Sequence, residues 1–202
     1  MTRPPRAGPS RGHAPALLCG PRTKHALDWA ATAHRQHARA DGTPFVLHVA
    51  ETAALVAATG ADTEVICAAL LHDVLERTDQ TAHQLRQHFG LRVATIVAAL
   101  TQDPTIRDYA PRKAALRRQV LAAGPDARLV FAADKISKAR ELRARWARRP
   151  DGPSDKMLRR RAHYQACLEM LAGAPLVAQL DFELWELDVV ARDATSRGAP
   201  ER

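Results

Sequence analysis

Apolar residues recur along this chain at intervals of three and four, the spacing that gives a helix one buried stripe. Ala26, Leu27, Trp29, Ala30 and Ala33 predict a first helix from about Thr23 to His34, which the turn-forming run Ala40-Asp41-Gly42-Thr43-Pro44 breaks. A second helix is predicted from about Leu47 to Ala58, stopping at Gly60, and a third from a cap at Asp62 or Thr63 through Val65, Ile66, Ala69, Leu70 and Leu75. Thr81 caps a short helix that ends at Gly90, and an apolar helix follows from Val93 to Leu100. Beyond a loop at Pro104 come a basic helix near 109–122 and a long helix opened by Gly124-Pro125-Asp126 and running toward Trp146. After a breaker at Pro150–Pro153 two more helices are expected, Asp155 to Leu171 and Leu176 to about Val190, the last with a stripe of Leu176, Leu180, Leu184 and Leu187. No run alternates as a strand would and no period repeats, so the pattern predicts one all-α domain, a helical bundle over residues 21–195. Residues 1–20 carry prolines at 4, 5, 9 and 15 and no apolar period, and are expected to be a disordered basic tail.

Composition narrows the class without naming it. A chain of 202 residues, 46% hydrophobic, buries enough surface to fold without disulfide staples. Its three cysteines, Cys19, Cys67 and Cys167, form no CxxC pair, which argues against a secreted disulfide framework or a zinc ribbon and suits a reducing cytoplasm. No segment approaches the roughly 20 apolar residues of a membrane span, and Leu17-Leu18-Cys19-Gly20 lacks the preceding apolar run that a lipoprotein signal needs. The net charge of +8 is local: residues 1–24 carry five cations and no acid, 138–161 ten cations against three acids, and 162–202 three cations against seven acids. Aromatics are only 4% and no nucleic-acid reading motif accompanies the charge. A solvated basic helix explains it, and so does attraction of a small polyanion to a nearby site.

Candidate chemistry sits where polar residues interrupt apolar runs. His72-Asp73 closes the run Cys67-Ala68-Ala69-Leu70-Leu71 within one predicted helix, and burying the pair without partners is costly. Neighbouring helical side chains diverge by about 100°, so both can reach one ion at the helix surface. Glu76 lies one turn beyond His72 on the same face. Asp134 ends a second apolar run, Leu129-Val130-Phe131-Ala132-Ala133, and His34 ends the stripe of the first helix. A hydrogen-bonded structural histidine and two surface polar residues would account for each alone. Together, two imidazoles and two carboxylates suit a divalent ion such as manganese, iron or zinc.

The order of His34, Gly42-Thr43-Pro44-Phe45 with His48, His72-Asp73-x-x-Glu76, Phe89-Gly90 and Ala133-Asp134-Lys135 resembles the HD-domain hydrolases of the Rel/SpoT group. In size the chain is most similar to their single-domain, Mesh-like members, the small alarmone hydrolases. The resemblance covers roughly residues 23–146. It implies a single HD-type all-α fold and a manganese-dependent enzyme that removes pyrophosphate from the ribose 3′ position of (p)ppGpp, with some relatives acting on (p)ppApp or on the 2′-phosphate of NADPH. Carried over by position, it implies metal ligands at His34, His72, Asp73 and Asp134, with Fe²⁺ or Zn²⁺ as other candidate ions, and a catalytic role for Glu76. The chain departs from the group at Arg77, where the group has an acid, at Lys138, where it has asparagine, and at His37 and Ala40 in the first motif.

Those departures place cations beside ligands, since Arg77 follows Asp73 and Lys138 follows Asp134 by four residues, one helical turn. They serve as phosphate clamps, or pair with the ligand carboxylates, or mark a drifted site. Arg39 and Lys113 complete the expected substrate-binding set. His37, His48, His83, His88 and His163 show no ligand-like constellation and are expected at the surface or in packing, and Tyr109, Trp146 and Trp185 in the core or an interface. The leading expectation is a cytoplasmic phosphohydrolase for a nucleotide with an extra 3′ or 2′ phosphate, neither membrane-bound nor a nucleic-acid binder. A phosphatase for another nucleotide, or a nucleotide-binding protein with little turnover, remains open.

Overall fold

The computed structural model describes residues 20–149 and 152–197, so the tail expected at 1–20 lies outside the described residues but for Gly20. Among them the chain runs through α1 (Pro21–Ala33), α2 (Val46–Ala58), α3 (Thr63–Leu71), α4 (Val74–Arg77), α5 (Ala82–Phe89), α6 (Leu91–Leu100), α7 (Tyr109–Ala122), α8 (Pro125–Ala147), α9 (Asp155–Met170) and α10 (Val177–Arg197). The described residues hold no strand, only an isolated antiparallel bridge between Ala38 and Pro44. None of their helices is long and apolar enough to cross a membrane.

Helix ends follow local chemistry. Pro21 opens α1 at a position where its missing N–H costs nothing. Asp62 caps α3 by accepting hydrogen bonds from Glu64 N and Val65 N at 2.9 and 3.1 Å. Thr81 and Gln84 form a reciprocal capping box on α5, and Gly90, at φ +92°, turns the chain from α5 into α6. Two spans differ from the sequence pattern. The helix expected to continue from Ile66 to Leu75 is interrupted at His72-Asp73, and α10 starts at Val177 and extends to Arg197. Leu176, expected to open the last helix, takes φ +69° instead. That left-handed conformation costs a residue with a side chain about 1 kcal/mol or more, offset by packing of the leucine against the core.

Helix α3 is the central rod, buried from Val65 to Leu71, with α1, α2, α6 and α8 packed around it. Along α8 lies α10, inserting Leu180, Leu184 and Leu187, each buried and each contributing about 1.5–3 kcal/mol. Ion pairs from Arg140 to Glu183 at 2.6 Å and from Arg143 to Glu186 at 2.5 Å flank that seam. The C-terminal end of α3, the middle of α8 and the first turn of α2 therefore converge, which brings polar residues from three distant segments into one place.

Candidate active site

At the end of α3 the ring Nδ1 of His72 lies 2.8 Å from Ala69 O, the carbonyl that a continuing helix would offer to the Asp73 N–H. Asp73 accordingly adopts φ −98° and ψ −3°, in the bridge region where many active-site residues sit. A carbonyl only accepts, so His72 Nδ1 carries the hydrogen and a neutral ring turns the lone pair of Nε2 the other way. There it meets Asp134 Oδ1 at 3.3 Å, Asp73 Oδ1 at 3.6 Å and His48 Nε2 at 3.3 Å.

The tightest grouping is His48, His72 and Asp134, all buried, whose ligand atoms lie within 4.8 Å of one another. Asp73 Oδ2 stands 3.8 Å from His48 Nε2. His34 is buried alongside, with its Nδ1 3.1 Å from His37 Nδ1 and its Nε2 lacking a hydrogen-bond partner. Burial, against the pull of Asp73, holds its pKa down at about 4, so the ring is neutral and able to donate a lone pair. Asp134 Oδ1, also buried, makes no well-directed hydrogen bond despite the nitrogens around it. Buried imidazole and carboxylate atoms converging with unspent lone pairs are the donor set of a divalent ion, and the residues fit one.

His48 is the residue that sequence reasoning missed. The expected lack of a ligand-like constellation around it does not hold: it is buried, and its ring nitrogen groups with His72 and Asp134. Its position on α2 in register with buried Thr52 and Val56, four and eight residues on, was the available signal.

Three cations already balance the two carboxylates. Lys138 Nζ lies 2.8 Å from Asp134 Oδ1 and 3.6 Å from Asp73 Oδ2, Arg77 Nε donates to Asp73 Oδ2 at 3.1 Å, and Lys135 contacts Asp134 Oδ2. Burial opposes ionisation of Asp134, but Lys135 and Lys138 outweigh it and hold the carboxyl below its usual range. Asp73 is held down in the same way, chiefly by Lys138 and His72.

Above the cluster opens a cleft of about 370 Å³, and all four expected substrate-binding residues, Arg39, Arg77, Lys113 and Lys138, line it. Arg39 is held by Glu51 at 3.4 Å and Glu141 at 3.7 Å on the loop that the Ala38–Pro44 bridge closes. The Arg77 guanidinium stacks over the Phe45 ring at 4.7 Å. Lys113 stands over Tyr109, and burial, reinforced by Lys135 and Lys138, lowers its pKa to about 8. Tyr109 and His163, expected in the core or in packing, also face the cleft. Trp146 is buried as expected, while Trp185 is exposed.

Glu76 is exposed at the cleft edge, where its Oε1 accepts a 2.6 Å hydrogen bond from Gln102 Nε2. It also borders a pocket of about 20 Å³ shared with His72, Asp73 and Asp134. That is room for a single water molecule. Gln102, which no motif marks, is what orients this acid.

A family model described as an HD domain matches residues 26–157. The chain is 34% identical over 152 residues to the Xenopus tropicalis protein named guanosine-3′,5′-bis(diphosphate) 3′-pyrophosphohydrolase MESH1, covering 73% of this chain and 82% of that one. It is 32% identical over 121 residues to the Aquifex aeolicus (strain VF5) guanosine-3′,5′-bis(diphosphate) 3′-pyrophosphohydrolase, covering 59% of this chain but only 17% of that longer protein. A solved structure of a metazoan ortholog of SpoT superposes with a TM-score of 0.70 at 24% identity, over 86% of this chain and 96% of the other. With its helical core, its buried His-Asp turn and these matches, the chain belongs to the HD-domain family.

Proposed function

We propose that this protein is a metal-dependent phosphohydrolase, with manganese as its ion, that removes the 3′-pyrophosphate of (p)ppGpp. The observation that carries the reading is the convergence of His48, His72, Asp73 and Asp134 at the floor of a cleft lined by cations. The name of the Xenopus relative and the description of the solved SpoT ortholog as hydrolysing ppGpp support the substrate. His34, His72, Asp73 and Asp134, joined by His48, would hold the ion. Bound there it would supply Lewis acidity and ease the deprotonation of water.

The remaining steps fall to the chain's own side chains. Glu76, oriented by Gln102, accepts a proton from a water in the small pocket it borders. That water attacks the phosphorus on the ribose 3′ oxygen, the P–O bond to the ribose breaks, the departing 3′ oxygen takes up the proton that Glu76 accepted, and the products are pyrophosphate and a nucleotide with a free 3′-hydroxyl. Lys113 and Arg39 bind phosphate oxygens, and Arg77 and Lys138 exchange their carboxylate partners for substrate phosphate as negative charge develops. A reducing cytoplasm suits the buried free thiols of Cys67 and Cys167.

A second reading, hydrolysis of (p)ppApp, the 2′-phosphate of NADPH or another phosphorylated nucleotide, draws on the two cations that replace an acid and an amide at positions 77 and 138. A panel of phosphorylated nucleotides incubated with the protein and Mn²⁺, with products identified, separates the readings. Pyrophosphate release from ppGpp, abolished by a chelator, is the expected result. Preference for another nucleotide moves the assignment to that substrate, and binding without turnover on every nucleotide overturns the hydrolase reading.

A further inference from the structure

Behind the metal-facing edge of His48 lies a polar relay joining α2 to α8. Ser137, fully buried, has its Oγ 2.6 Å from Glu51 Oε2 and 2.9 Å from His48 Nδ1. Arg140 Nη1 donates to Glu51 Oε1 at 3.0 Å and Arg39 Nη1 to Oε2 at 3.4 Å. Burial raises the Glu51 pKa, but the hydrogen bonds from Ser137 and Arg140 and the charge of Arg39 outweigh it, so the group is an ionised carboxylate.

Hydrogen counting then sets the donors along Glu51, Ser137 and His48 Nδ1. An ionised carboxylate only accepts, so the single hydroxyl hydrogen of Ser137 points at Glu51. Ser137 Oγ has only a lone pair left for His48, and the imidazole hydrogen therefore sits on Nδ1. That leaves His48 Nε2 without a hydrogen, 3.3 Å from His72 Nε2 and 3.1 Å from Asp134 Oδ1, a carboxylate that pulls toward the other tautomer but whose pull Lys138, 2.8 Å from the same oxygen, weakens. His72 is locked in the same tautomer by Ala69 O. Rings that face each other through Nε2 lone pairs cannot hydrogen-bond to each other, whereas a bound cation would satisfy both. The spacing reinforces the arrangement: His48 and Glu51 are three residues apart on α2, Asp134 and Ser137 three apart on α8, so one helix pair presents ligands from one turn and their support from the next.

We infer that Glu51 and Ser137 are positioning residues that fix the tautomer of His48 and thereby make its Nε2 a metal ligand. This rests on the metal-site reading above. Outer hydrogen bonds to ligating histidines typically contribute 10–100-fold in metal affinity. An ion-paired strut between α2 and α8 would instead leave the ring hydrogen of His48 indifferent to the Glu51 charge.

The test uses metal-free protein labelled with ¹⁵N at histidine, at a pH where the rings are neutral, with the His48 signal identified by its loss in His48→Gln. Wild type should show His48 protonated at Nδ1. In Glu51→Gln, which keeps the side-chain shape, the amide oxygen faces Arg140 in the place of Oε1 and the NH₂ takes the place of Oε2, donating to Ser137. The hydroxyl then donates to His48 Nδ1 and the ring hydrogen moves to Nε2. Ser137→Ala should populate both tautomers. Titration with Mn²⁺ alone should show affinity reduced about 10–100-fold in both variants, with melting curves confirming that each is folded. A wild-type hydrogen on Nε2, or variants that change neither the ¹⁵N shifts nor the Mn²⁺ affinity, overturns the relay. Wild-type protein that binds no Mn²⁺ overturns the metal site instead, and the tautomer of the unmodified protein still decides the relay, even where a variant does not fold.

Discussion

Glu76 and Lys138 border the same His-Asp cluster with opposite charge, and each has a distinct consequence. Glu76→Gln keeps shape and the partner Gln102 but removes the proton acceptor, so turnover should fall about 10²–10⁴-fold while Mn²⁺ affinity holds. Steady-state rates beside a metal titration check this, and equal turnover removes Glu76 from the reaction. Lys138 already neutralises Asp134 and Asp73, and an arriving ion must displace its ammonium group. Lys138→Asn, which restores the residue usual in the Rel/SpoT group, should therefore tighten Mn²⁺ binding. It should also raise the KM for the nucleotide about tenfold or more, because a charge-assisted phosphate contact contributes roughly 1.5–3 kcal/mol. If neither quantity moves, the ammonium contacts neither ion nor substrate in solution. Lys113 adds a pH dependence. With its pKa lowered by burial to about 8, it is charged below that pH and neutral above it, so KM should stay level below about pH 8 and climb beyond it. Linkage gives the matching sign for stability: the folded state disfavours the charged form, so the cost is present below about pH 8 and fades as pH rises toward the ordinary lysine value near 10.5. Lys113→Met should flatten both profiles.

At the scale of elements, what could be read from the sequence depended on whether a local pattern carried the information. The capping box of Thr81 and Gln84 is such a pattern, and α5 begins where it says. Thr81→Ala should cost about 1 kcal/mol, lowering the melting temperature by roughly 2–4 °C for a chain of this size, with activity unchanged because α5 contributes nothing to the cleft. Helix spans, the all-α class and the pairing of His72-Asp73 with Asp134 were legible because each polar residue ends an apolar run. The break between α3 and α4 was not, since helical periodicity continues through Leu75 and only the side chain of His72, taking Ala69 O, ends the ladder. The role of His48 was hidden for a related reason: its partners His72, Asp134 and Ser137 lie 24 to 89 positions away and meet only when α2, α3 and α8 pack. Nothing local distinguishes it from a core histidine. Gln102 and Glu51 were invisible on the same ground, each being defined by a hydrogen bond to a distant helix.

Taken as a whole molecule, the fold makes metal binding a stability measurement. His34 closes α1, His48 lies in α2, His72 and Asp73 form the turn between α3 and α4, and Asp134 sits in α8, so unfolding disperses all the candidate ligands but the adjacent pair His72-Asp73. An ion that binds only the folded state stabilises it by mass action, about 2.7 kcal/mol at a concentration 100 times its Kd. For a chain of this size that is a rise in melting temperature of roughly 5–10 °C on adding Mn²⁺ to metal-free protein, reversed by chelation. The same experiment tests the two histidines proposed as ligands beside His72. His48 Nε2 lies within the tight cluster, while His34 Nε2 is buried and unpartnered beside it. Each is replaced by Gln in turn, and the Mn²⁺-dependent increment is measured against that variant's own metal-free melting point, so that any packing loss cancels. If both are ligands, each variant should lose most of the increment. If only one does, the other is a packing residue, and if the increment survives in both, the ion sits elsewhere and the cluster is a hydrogen-bonded core of two imidazoles and two carboxylates.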